Sequence, residues 1–170
     1  LAAKLGSDVP FFVYDAPFAR GLARGEKIRV LNKLNRVRLW HILVVPEIHI
    51  STAEIYKKLD SFSGLTKPDG NVKILTSILA KKNLFFTPGF LFNSLEQVTF
   101  KISPPVRRIK DRLIALGLNN ALMSGSGSAV FAIVRSKKEA LKLAQRLKKE
   151  GAPWRIFVAS TVRGRAKLWR

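Results

Sequence analysis

The chain has 170 residues, 47% of them hydrophobic, no cysteine, and 31 Lys plus Arg against 11 Asp plus Glu, giving a net charge of +20. This suffices for one fair-sized core, or one domain with a piece of another. It excludes disulfides and thiolate metal sites, and no apolar run approaches the ~20 residues that span a bilayer.

From the N-terminus, Leu1 to Leu5 reads as the last turn of a helix that Gly6 stops. The pattern is entered midway, so further sequence is expected upstream. Asp8-Val9-Pro10-Phe11-Phe12-Val13-Tyr14 is expected to begin as a turn and continue as a short apolar strand, because Pro10 breaks a helix. Ala19 to Arg29, with Gly21 and Gly25, reads as a short hairpin or loop. Leu39 to Val45 is rich in Leu, Ile and Val and reads as a buried strand ended by Pro46. Ser51-Thr52-Ala53-Glu54 has capping-box spacing and should open a helix to about Leu59.

Asn71 to Lys82 places Val72, Leu75, Ile78 and Leu79 at helical spacing. Pro104-Pro105 suits a helix start, with Val106, Ile109, Leu113 and Leu116 on one face and Gly117 closing it. Ala121–Met123 and Ala129–Val134 read as strands around the Ser124-Gly125-Ser126-Gly127-Ser128 turn. Lys137 to Lys149 is an amphipathic helix with Ala140, Leu141, Ala144 and Leu147 inward, and Arg155–Ala159 supplies a last strand. The sum is an α+β sandwich, helices on one face of an antiparallel sheet.

The basic excess permits binding to nucleic acid, anionic lipid or phosphorylated metabolites. It lies in scattered pairs such as Lys57-Lys58, Arg107-Arg108 and Lys148-Lys149, without aromatic interleaving. It therefore reads as a solvated surface with a general attraction for anionic substrates, and neither a specific nucleic acid nor a membrane is expected as partner.

Two segments could carry chemistry. Asp8 after a helix end is an ordinary turn or cap residue, or a carboxylate placed to accept the proton of a substrate hydroxyl during phosphoryl transfer. The run Met123–Phe131 is a glycine-rich hairpin turn, or a loop whose Cβ-free residues let backbone amides approach phosphate oxygens. Neither the P-loop nor the dinucleotide glycine spacing occurs in it. His49, just before the helix start, reads as structural or solvent-facing, and His41 and His49 without spaced acidic partners make no metal site, so no metal ligand is assigned.

Together these segments resemble a family. "LGSDVPFF" from Leu5 to Phe12 resembles the distinctive segment of the 4-diphosphocytidyl-2-C-methyl-D-erythritol kinases, members of the GHMP kinase superfamily. Gly25-Glu26 fits the family's G-x-G-E pattern, with Ala23 in place of its first glycine. Val45-Pro46 followed by Ser51-Thr52-Ala53-Glu54-Ile55-Tyr56 resembles its proline-then-"STAEVY" segment. Asn93-Ser94-Leu95-Glu96 resembles its "NDLE", and "MSGSGSAVF" is similar to the third conserved motif of GHMP kinases. The five matches fall in order over nearly the whole chain.

The resemblance implies transfer of the ATP γ-phosphoryl group to the 2-hydroxyl of the methylerythritol moiety of a cytidine-diphosphate-linked substrate, in non-mevalonate isoprenoid precursor synthesis. Asp8 is then the catalytic base, with Ser7 beside the reacting sugar. Thr52 and Tyr56 enclose the cytosine and ribose, unless Tyr56 is an ordinary core aromatic. Gly125, Ser126 and Gly127 form the loop near the diphosphate and the transferring phosphate. ATP and Mg²⁺ are implied, with no magnesium ligand identifiable.

The family's glycine/serine-rich nucleotide motif and its early lysine do not occur in these 170 residues and are expected upstream, in the N-terminal half that is this chain's natural partner. The chain alone is expected to be inert, and to expose apolar surface that this half covers. The implied organisation is residues 1–24 as the tail of the ATP-binding domain, 25–154 as the substrate-side domain, and 155–170 as a terminal strand returning to the first. A cytoplasmic (or plastid) setting is expected. The alternatives are another GHMP kinase acting on a different small alcohol, a basic nucleic-acid-binding module, and a degenerate scaffold.

Overall fold

The computed structural model describes residues 2–6, 8–22, 25–61, 72–81 and 91–162. They form two compact units. One gathers the described parts of Leu1–Arg38, Val72–Asn83 and Ser160–Arg170; the other holds those of Leu39–Asn71 and Leu84–Ala159.

In the first unit, α1 (Ala2–Leu5) is followed by α2 (Val9–Val13). The apolar run after Asp8 is thus helical, correcting the strand expected there. Pro10 stands in the first turn, where its missing N–H has no intrahelical bond to make, so it starts this helix and does not break it. Phe12, Val13 and Tyr14 are largely exposed. Strands β1 (Ala19–Leu22) and β2 (Lys27–Val30) make the expected hairpin, antiparallel in the register Ala19↔Val30 to Leu22↔Lys27. A short 3-10 turn at Asn32–Leu34 packs against α4 (Val72–Ala80), and Leu34, Val37 and Leu79 are buried.

The second unit is built on a four-stranded sheet. It comprises β3 (Trp40–Pro46), β4 (Leu122–Met123), β5 (Val130–Val134) and β6 (Trp154–Ser160), in the order β4-β5-β3-β6. β3 and β5 run antiparallel from Trp40↔Val134 to Val44↔Val130, and β4 pairs antiparallel with β5. Ile42, Val44 and Pro46 alternate with less buried neighbours along β3. That period of two sets one face against the core. Asn120 extends the ladder beyond β4: its side-chain amide donates to the Ile133 carbonyl and accepts the Ile133 N–H, both at 2.9 Å.

The helices are α3 (Thr52–Asp60), α5 (Leu95–Ile102), α6 (Pro104–Ala115) and α7 (Lys137–Lys149). α6 and α7 pack on β3 and β5, and α5 packs on α6 and α3. Ile42, Val44, Ile55, Val106, Ile109, Leu113, Val130 and Leu147 fill the core between helices and sheet.

Local chemistry explains the boundaries. Ser51 and Ser136 cap α3 and α7 by accepting the amides of Glu54 and Glu139. Gly117, at φ +87°, ends α6: its N–H reaches the Ile114 carbonyl and that of Leu118 the Leu113 carbonyl. This is the paired bonding of a left-handed helix stop. Leu141, expected inward on α7, is 46% exposed, whereas Ala140, Ala144 and Leu147 are buried. One residue past Ala140 is a rotation of about 100° around the helix, which carries Leu141 off the buried stripe.

Candidate functional site

The Ser124–Ser128 loop joins β4 to β5 and is closed by two backbone bonds. Ser124 N–H reaches the Ala129 carbonyl at 2.9 Å, and Gly127 N–H the Ser124 carbonyl at 3.0 Å. Gly125 and Gly127 hold φ values of +55° and +95°, which glycine adopts without strain. Their surroundings differ. A Cβ on Gly127 meets Met123 Sδ at 3.0 Å and Thr99 Cγ2 at 3.3 Å; on Gly125 it meets nothing within 4 Å. The loop therefore packs tightly at Gly127 and leaves its backbone open to an incoming group at Gly125.

Side chains from elsewhere in the unit grip the loop. Asn93, just before α5, donates to the carbonyls of Met123 (2.9 Å) and Gly125 (2.8 Å). Buried Glu96 accepts the Met123 N–H at 2.8 Å and pairs with Lys110 at 2.5 Å. Buried Thr99 donates to the Ser126 carbonyl at 3.2 Å. Ser128 donates to the Ile48 carbonyl at 3.1 Å, and the hydroxyls of Thr52 and Ser126 are hydrogen-bonded at 2.8 Å.

Thr52 opens α3 directly after its cap, so the Thr52–Ser126 bond ties that helix end to the loop. Tyr56, one turn later, is 54% exposed. It is therefore not a core aromatic, and its ring is available to a ligand. The structure thus brings Thr52 and the loop residues Gly125, Ser126 and Gly127 together in one unit.

Asp8 lies in the other unit, at the N-cap position of α2, exposed and making no side-chain capping bond. Ser7 lies outside the described residues. The sequence alone gives Asn93, Glu96 and Thr99 no role in the loop. Their signal was the spacing of three within a segment whose Leu95, Val98 and Ile102 also fit a helical face.

His49 is exposed, and His41 on β3 is half-buried against the edge of Phe131, ring centroids 6.1 Å apart. Burial pushes the His41 imidazole below its ordinary pKa. Among the described residues no three or more His, Cys, Asp or Glu side chains gather as a metal site, and no helix is long and apolar enough to cross a membrane.

Residues 78–153, which contain α5, the loop and α7, match the family model described as GHMP kinases C terminal. Over those residues the chain carries the C-terminal domain of the GHMP kinases. Among relatives of this GHMP kinase domain, a protein of Listeria monocytogenes serotype 4a (strain HCC23) named 4-diphosphocytidyl-2-C-methyl-D-erythritol kinase is 40% identical over 148 residues. That alignment covers 84% of this chain and 47% of the relative. A protein of the same name from Syntrophus aciditrophicus (strain SB) is 35% identical over 163 residues, covering 95% of this chain and 54% of the relative.

The chain thus spans about half the length of the curated relatives it matches. A crystal structure of 4-(cytidine 5'-diphospho)-2C-methyl-D-erythritol kinase superposes with a TM-score of 0.76 at 27% identity, over 93% of this chain and 54% of that one. A homoserine kinase from Cytophaga hutchinsonii gives a TM-score of 0.69 at 19% identity, over 92% of this chain and 51% of its own; it shares the fold. The α+β architecture expected from the sequence is that of this domain family.

Proposed function

We propose that the complete protein carrying this chain phosphorylates the 2-hydroxyl of 4-diphosphocytidyl-2-C-methyl-D-erythritol at the expense of ATP, in isoprenoid precursor synthesis. The observation that carries this reading is the 2.8 Å bond between Thr52 and Ser126. It joins a helix end bearing an exposed aromatic ring, suited to stack on a base, to a glycine loop suited to approach a diphosphate. A substrate with a nucleoside at one end and phosphates beside it needs that pairing. The names of the relatives at 35–40% identity support the same substrate.

In this reading the Tyr56 ring stacks on the cytosine and Thr52 borders the ribose. The Gly125–Gly127 backbone faces the phosphates, where N–H groups can offset negative charge. Asp8 accepts the proton of the 2-hydroxyl as its oxygen bonds to the γ-phosphorus and the bond to the leaving ADP oxygen breaks. Exposure of Asp8 leaves its carboxylate accessible for that role. Ser7 is proposed to lie beside the same sugar. ATP and magnesium supply the phosphoryl donor and its charge neutralisation, and no side chain of this chain is assigned to hold them. Residues 1–24 are proposed as the tail of the nucleotide-binding domain and 25–154 as the substrate-side domain; of the expected terminal segment 155–170, residues 163–170 lie outside the described residues.

The test is ADP release by the complete protein with ATP, Mg²⁺ and the cytidine-diphosphate substrate, beside its Asp8→Asn variant. Turnover should depend on that substrate and fall about 10²–10⁴-fold in the variant, with the melting temperature unchanged because Asp8 is exposed. Equal turnover of both proteins removes Asp8 from the mechanism. No turnover by the folded, complete protein removes the function.

A further inference from the structure

We propose that Glu96 is a positioning residue for the glycine loop, fixing the loop's geometry through the Met123 backbone and carrying Lys110 as its counter-ion. The proposal deepens the function given above and, for its catalytic consequence, rests on it.

The starting point is a carboxylate where carboxylates are rarely found. Glu96 is only 9% exposed, and an ionised group is retained at such a position when its oxygens are fully partnered. Here both are: one accepts the Met123 N–H at 2.8 Å, and the other meets Lys110 Nζ at 2.5 Å. Lys110 also lies 5.8 Å from the centre of the Phe100 ring, so the cation is held from two sides. The carboxylate is consumed by this work, which sets it apart from a base awaiting a proton.

What Glu96 holds is the entry to the loop. Met123 is the last residue of β4, and its N–H is taken by Glu96 while its carbonyl is taken by Asn93. Two residues of one helical end therefore grip both polar groups of the same residue. Asn93 also takes the Gly125 carbonyl, and Thr99 the Ser126 carbonyl. With its carbonyls tied back toward α5, the loop cannot turn those oxygens outward, where they would repel a phosphate. Backbone groups stabilise a developing charge only when they are oriented before it arrives. Lys110 matters for the same reason: a bare carboxylate beneath a phosphate-binding loop would oppose the ligand, and the ion pair cancels its charge.

The test uses Glu96→Ala, Glu96→Gln and the double variant Glu96→Gln/Lys110→Met in the complete protein. Two readouts are taken: steady-state kinetics, and amide hydrogen exchange over residues 123–128. Glu96→Ala should lower kcat about 10–100-fold with little change in KM, as expected of misplaced groups. It should speed exchange of the loop amides about tenfold or more as the Met123 bond is lost. The double variant keeps an acceptor for Met123 N–H and removes both charges together, so it should recover most of kcat and all of the protection.

A double variant as impaired as Glu96→Ala overturns the proposal, and so does unchanged loop exchange in Glu96→Ala. Should Glu96→Ala not fold, the double variant decides alone: wild-type loop protection supports the proposal, and lost protection overturns it. If the wild-type protein turns over no substrate, the proposed function fails, while the exchange data still decide whether Glu96 fixes the loop.

Discussion

The two stretches that carry the chemistry, the Ser124–Ser128 loop and the segment around Asp8, are held in opposite ways. The loop is bound by several elements at once: Asn93, Glu96 and Thr99 from α5 and its entry, Thr52 from α3, and Ile48 through its carbonyl. Asp8 stands exposed at the start of a five-residue helix whose Phe12 and Val13, with Tyr14 just after it, are largely in solvent. A group that must present fixed backbone dipoles is useful only if it is rigid before the ligand arrives. A carboxylate that must receive a proton needs access first, and its final alignment can come with the bound substrate. The contrast predicts that substitutions in the loop act through structure, whereas changes at Asp8 act on rate alone.

The sharpest way to break that comparison lies within the loop. Gly127→Ala places a Cβ in a left-handed backbone and within 3.0 Å of Met123 Sδ. We expect it to cost about 2–3 kcal/mol of stability, from the backbone term and the crowding together. Gly125→Ala meets no neighbour within 4 Å and should cost only the backbone term, about 1–2 kcal/mol. Urea denaturation of the two variants measures the difference directly. Equal midpoints would mean that the loop is not packed at Gly127 and that its rigidity has another source.

Next in size is Tyr56→Ala. With 54% of Tyr56 exposed, the substitution removes little packing. Stability should stay within about 0.5 kcal/mol of wild type, while affinity for the cytidine-containing substrate falls by about 1–3 kcal/mol if the ring stacks on the base. Isothermal titration with a cytidine diphosphate ligand reads the affinity, and Tyr56→Phe should restore it. Unchanged affinity in Tyr56→Ala would move the base elsewhere and leave the Thr52–Ser126 bond as a structural tie only.

The comparison also shows what could be read from the residues alone. Elements fixed by neighbours in sequence were legible: Ser51 and Glu54 mark the start of α3, Gly117 the end of α6, and the Leu39–Val45 run becomes β3. Three features were not. Pro10 reads as a helix breaker in the sequence because its effect depends on its place in the helix, which only the boundary at Val9 reveals. The α5 segment carries Val98, Thr99 and Phe100, residues of middling helix preference, and it is helical because Leu95, Val98 and Thr99 are buried together. Glu96 is visible as part of a motif, but its partners lie 14 and 27 residues away. A sequence shows that a carboxylate is present; only the fold shows that it is buried and what neutralises it.

The smallest effect concerns the sheet. His41 lies half-buried on β3 against Phe131, and burial holds its pKa below the ordinary histidine value of 6.5. Above that value the side chain is neutral in both folded and unfolded chains, so it contributes no pH dependence. As pH falls through 6.5 the unfolded chain takes up a proton that the folded chain resists, and stability drops. Wild-type chain should therefore lose more thermal stability between pH 7.5 and 5.5 than His41→Gln, whose side chain does not titrate. Because the loop plays no part in this term, Gly125→Ala should show the wild-type pH dependence. A matching loss in His41→Gln would mean that the imidazole is protonated as readily in the folded sheet as in water, and that its contact with Phe131 leaves it effectively solvated.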